Sequence, residues 1–183
     1  MAKKEAWEEK LEAGIAERDM IQTLMFITEI DVLKIDAKLG HILLGKNSKW
    51  IFPVLERPST YYSEFLGKKG LETSNIFFID VGTNYRKGTY IDSPGQLIEL
   101  KREVVAAADA LASSSPRPER IVLVFSSFVT LELFSDNRLI GIFIHELTLA
   151  LRQLGVYQVF VIAPGDPLIR YLAPVMDVTI TLV

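Results

Sequence analysis

Few residues of this 183-residue chain have the type and spacing that chemistry requires. Gly40, Gly45 and Lys46 stand at the G-x-x-x-x-G-K spacing of a phosphate-binding loop, with Asn47 where the Ser or Thr that ligates magnesium would be. A working loop follows a strand and opens a helix, so that backbone amides and the helix dipole point at the phosphates. Here a helical pattern precedes the glycines. Beyond them comes Trp50–Glu56, WIFPVLE, a strand pattern whose Pro53 forbids a helix interior. More natural is a short strand over Ile42–Leu44 and a turn over Gly45–Ser48. Lys46 therefore belongs to an alternative reading, a nucleotide-binding ATPase or switch using ATP and magnesium with a divergent phosphate loop around Gly40 to Ser48.

The other candidates stand at the ends of apolar runs. Ser126 and Ser127 break Arg120–Leu133, RIVLVFSSFVTLEL, whose first six residues read as a strand buried on both faces. They make poor nucleophiles, because Phe125 and Phe128 flank them where a nucleophile elbow needs glycines. Glu56 closes WIFPVLE beside Arg57, the pattern of a solvated strand-end pair. Asp80 ends NIFFID and Asp166 comes after VIAPG, where crevice residues sit in an open α/β sheet. The commoner use of such aspartates is capping and turn formation. Lys46, Glu56, Asp80, Ser126, Ser127 and Asp166 are thus the candidate ligand-binding residues, and no catalytic residue is expected. Without cysteine and with only His41 and His145, no metal set has ligand spacing.

The elements that must position these residues alternate. From Trp50 on, strand patterns at WIFPVLE, NIFFIDVG, RIVLVF, YQVFVIAPG and DVTITLV are separated by helical stretches, notably LIELKREVVAAADALA and NRLIGIFIHELTLALRQLG. That alternation implies a doubly wound, mainly parallel α/β sheet with helices on both faces. Residues 3 to about 39 read as helical, since Ile21, Leu24, Met25, Val32, Ile35 and Leu39 recur mostly three or four apart. The division is an N-terminal helical extension over 1–39 and an α/β domain over 40–183. Apolar residues on more than one helix face make Ile21, Leu24, Met25 and Val32 candidate interface positions.

A net charge of −3 and a pI near 5.5 argue against nucleic acid as a partner, since such binding draws on clustered Lys and Arg. The apolar runs are interrupted well short of the roughly 20 residues that span a bilayer, and the charged amino terminus has no apolar signal core. A cytoplasmic location is expected.

Trp50–Val183 resembles the RecA-like ATPase core of the archaeal KaiC-like branch, a three-layer fold. VLERPSTYYSEFLGKKGLETSNIFFID is similar to that branch's second strand, helix and third strand. VFSSFVTL resembles its Walker B strand and serine-rich turn, and HELTLALRQLGVYQVFVI its next helix and strand. In that likeness Ser126 falls where the family has the Walker B aspartate, Glu56 where it often keeps a catalytic glutamate, and no Gly-rich loop precedes Trp50. A hydroxyl cannot supply the charge that fixes magnesium. The resemblance thus implies a RecA-like domain without ATP hydrolysis and without a cofactor, acting as a scaffold, regulator or oligomerisation module. Its implied partners are further copies of itself or a related active RecA-like subunit.

Overall fold

The computed structural model describes residues 5–16, 22–44, 47–82, 89–91, 93 and 95–182. Its strands are β1 (Thr23–Thr28), β2 (Ser48–Val54), β3 (Ile76–Val81), β4 (Thr89–Ile91), β5 (Arg120–Ser126), β6 (Tyr157–Ile162) and β7 (Val178–Leu182). They form one seven-stranded sheet in the order β4-β3-β2-β5-β6-β1-β7, every neighbouring pair parallel. The helices are α1 (Ala6–Ala16), α2 (Val32–Leu43), α3 (Ser59–Lys68), α4 (Leu97–Ala112), α5 (Val129–Glu132), α6 (Asn137–Gln153) and α7 (Ile169–Leu172).

Two cores sandwich the sheet. Successive side chains of a strand point to opposite faces, so a strand covered on both sides must be apolar throughout. Trp50, Phe52, Val122 and Val124 face a core shared with Leu11, Ile35 and Leu39. Ile51, Leu123 and Phe125 face the other, with Leu100, Ile144 and Leu172. The helices leaving β1 and β2 therefore lie on one face, and those leaving β5 and β6 on the other. Since β1 adjoins β6 and β2 adjoins β5, two crevices open at the carboxyl ends of these strands.

The helix expected over residues 3–39 is instead three elements. Thr23–Thr28, TLMFIT, has four successive apolar residues between two threonines and inserts between β6 and β7. Leu24 and Met25 are fully buried, one in each core, and are unavailable for docking. Val32 is half-buried as the first residue of α2, and Ile21 lies outside the described residues. The three-to-four spacing joins strand residues to helix residues. The expected boundary at residue 40 falls inside α2, and Ile42 and Leu43 close that helix rather than forming a strand. The short strand β4 follows β3 and forms the edge of the sheet beside it.

Candidate functional site

Both crevices are built from short connections. Between β1 and α2 stand only Glu29, Ile30 and Asp31. Thr28 Oγ1 accepts from the Ile30 amide at 3.0 Å, and Asp31 Oδ1 caps α2 by accepting from the Leu33 amide at 2.9 Å. A helix start of this kind satisfies its free amides with its own chain's carboxylate. The cleft beside it, about 390 Å³, is bounded by Glu29, Asp31, Ser127, Phe128, Pro164 and Asp166.

Ser126 and Ser127 link this cleft to the one between β2 and β5. The Ser127 amide donates to Val161 O at 3.2 Å, and its hydroxyl donates to Glu56. Its φ of 69° lies in the left-handed region, an uncommon setting for a residue with a Cβ. Glu56 and Arg57 do not behave as a strand-end pair: Glu56 turns to Ser127, while the Arg57 guanidinium lies 4.5 Å from the centre of the Tyr61 ring.

Beneath the rim lies an acid that the residue pattern alone did not single out. Asp36, on the second turn of α2, is fully buried; Ser126 Oγ donates to its Oδ2 at 3.1 Å, and Oδ1 has no hydrogen-bond partner among the described residues. Burial pushes its pKa up to about 8, the Ser126 hydroxyl opposes this, and the charges of Asp31 and Glu56 add to it. Asp36 therefore holds its proton at neutral pH. Tyr62, in the same core, has its hydroxyl pushed up by burial and then by Asp36 and Glu56. A sequence signal existed: Asp36 stands three residues before Leu39 and seven before Leu43, which places a carboxyl on the helix's buried stripe.

The remaining candidates separate. Asp80 is buried, and both its oxygens accept from Ser59, Oδ1 from the amide at 2.7 Å and Oδ2 from the hydroxyl at 2.6 Å. It anchors the start of α3. Asp166 borders the cleft, and its Oδ1 accepts from the Leu168 amide at 2.8 Å. Glu132 at the end of α5 has its pKa raised by burial and then by the charge of Asp166. Lys46 and Gly45 lie outside the described residues; their neighbours Leu44 and Asn47 join the end of α2 to the start of β2, at the amino ends of the strands. Among the described residues no group of three His, Asp or Glu could hold a metal ion, and no helix is long and apolar enough to cross a membrane.

A parallel sheet with helices on both faces and crevices at its carboxyl edge defines a three-layer α/β protein, and its fold is similar to that of KaiC-like structures. The KaiC-like protein PH0186 of the hyperthermophilic archaeon Pyrococcus horikoshii OT3 superposes with a TM-score of 0.61 at 14% identity, over 88% of this chain and 71% of that one. PH0250 of the same organism superposes with a TM-score of 0.55 at 10% identity, over 96% and 87%. Residues 65–182 match DUF7504, a family of unknown function, and the chain belongs to that family. No curated protein matches it.

Proposed function

We propose that this chain is a non-catalytic RecA-like domain that works through its surfaces, as a scaffold, regulatory or oligomerisation module, together with copies of itself or an active relative of the same fold. The observation that carries the reading is the turn Glu29–Asp31 between β1 and α2. Three residues are too few to wrap a triphosphate, and at the start of α2 the Asp31 carboxylate already accepts from the Leu33 amide and the Asp31 carbonyl from the Lys34 and Ile35 amides.

Electrostatics support the same reading. A helix amino terminus favours an anion by about 0.3–1 kcal/mol. A phosphate oxygen about 4 Å from the Asp31 carboxylate would meet repulsion on the order of 4 kcal/mol at an effective dielectric near 20. The repulsion wins. Ser126, where the resemblance puts the magnesium-fixing aspartate, gives its hydroxyl to Asp36. Asp36 holds a proton and lies below the surface, so it does not replace the missing charge. ATP with magnesium thus does not fit these residues. Apolar surface is found elsewhere: Leu139, Ile142 and Leu149 are exposed along α6, with Ile98 at the start of α4. Exposed apolar residues grouped in this way mark interaction surfaces.

The test is thermal unfolding of the full chain with and without millimolar ATP or ADP and magnesium. The midpoint should not move. Saturation with a ligand at about 100 times its dissociation constant adds about 2.7 kcal/mol of stability, so a nucleotide-dependent rise would overturn the proposal.

A further inference from the structure

We infer that two copies of this chain join through β7, by antiparallel pairing of Val178–Leu182 with the same strand of a second copy about a two-fold axis. The inference rests on the oligomerisation reading above and gives it a location. β7 is the last strand of the sheet, and among the described residues it pairs with β1 alone. Among the described residues no strand pairs with its outward amides and carbonyls, the groups that a sheet edge offers to another strand. Natural edges are usually blunted by brevity, charge or proline. The opposite edge conforms, because β4 is a strand of three residues. β7, Val-Thr-Ile-Thr-Leu, has five residues, no charge and no proline.

Its sequence argues for a second copy rather than an unrelated strand, because the pattern reads the same in both directions. With Ile180 on the axis, Val178 stands opposite Leu182 of the second copy, and Thr179 opposite its Thr181. Apolar residues thus meet apolar ones on one face, and threonines meet threonines on the other, the pairs that stabilise antiparallel neighbours. A slip of one residue would set this alternation against itself. Val178 and Ile180 are half-buried against the core that contains Leu11 and Ile15 of α1, while Thr179 and Thr181 are exposed on the other face. Pairing would cover the two Ile180 side chains with each other and continue that core across the axis. Charge does not oppose it: the adjacent carboxylate, Asp177, is paired with Arg152 at 2.7 Å. A two-fold contact uses the same edge on both copies and so closes at two.

The test is sedimentation equilibrium of the full chain. The unaltered protein should have twice the monomer mass of 20.6 kDa. Thr179→Lys with Thr181→Lys sets lysines opposite lysines and should raise the concentration needed for dimerisation at least roughly tenfold, with the far-UV circular dichroism unchanged, since both side chains are exposed. Thr179→Glu with Thr181→Glu should do the same. An equal mixture of the two variants should recover the dimer, because lysine then stands opposite glutamate across the axis. An unaltered chain that stays monomeric at about 100 μM, a lysine variant that stays dimeric, or masses beyond two copies would each overturn the assignment. None of these outcomes bears on nucleotide binding, so this inference can fail while the non-catalytic reading stands.

Discussion

Asp36 and Asp80 are the same residue type at the same depth, 0% and 1% exposed, yet their surroundings make them opposites. Asp80 has both oxygens engaged by Ser59, an amide and a hydroxyl that converge from the start of α3. Asp36 has one oxygen engaged by Ser126 and the other by nothing among the described residues. Burial alone does not decide what a carboxyl does; the donors that reach it do. Asp80 joins a helix to a strand, whereas Asp36 retains a proton beneath the rim.

The contrast can be broken first by pH. Asp36 has its pKa raised from 3.8 to about 8 in the folded chain, so between those values the folded state keeps a proton that the unfolded state has released. Each rise in pH across that window favours unfolding. The contribution of Asp36 is fully present below about pH 4 and is lost by about pH 8, a change on the order of several kcal/mol. Asp36→Asn, neutral in both states, should remove that part of the slope in urea denaturation monitored from about pH 5 to 9. Equal slopes in the two proteins would refute the assignment.

Asp80→Ala should cost about 3 kcal/mol by the same denaturation experiment, because it leaves the Ser59 amide and hydroxyl without their acceptor in a half-buried setting. A loss below about 1 kcal/mol would mean that water replaces it. Ser126→Ala, which removes the hydroxyl that donates to Asp36, should cost about 1 kcal/mol and move the pH dependence further toward alkaline values. Smallest is the backbone term at Ser127. Ser127→Gly should be more stable than Ser127→Ala by about 1 kcal/mol, because both lose the bond to Glu56 and only glycine accepts a φ of 69° without strain.

Much of this arrangement can be read from the chain. The unbroken apolar runs of β2, β3, β5 and β6 require cover on both faces, and the helices between them supply it. Ser126 and Ser127 can be found because they interrupt such a run at its carboxyl end. β1 is not separated from its neighbours so easily. TLMFIT is six residues long, and Val32, Ile35 and Leu39 continue its apolar spacing at intervals a single helix would also give. The decisive sign is Asp31, a helix-capping residue one position before α2, and without it the crevice between β1 and β6 stays hidden. Asp36 escapes for a related reason: with 3–39 taken as one helix, it falls among the polar residues that separate the apolar ones, beside Asp31 and Lys34. Asp80 and Asp166 stand at strand ends as their positions in the chain imply, and Asp166 accepts from the Leu168 amide two residues on, the local turn such a residue forms, whereas the partner of Asp80, Ser59, depends on how the folded segments meet.

The central claim is that the crevice edge at Glu29–Asp31 and Ser126 offers a triphosphate no grip. Titration calorimetry of the full chain with ATP and magnesium tests it most directly. The account predicts no saturable heat up to about 1 mM nucleotide; a one-to-one isotherm with a dissociation constant below about 100 μM would contradict it.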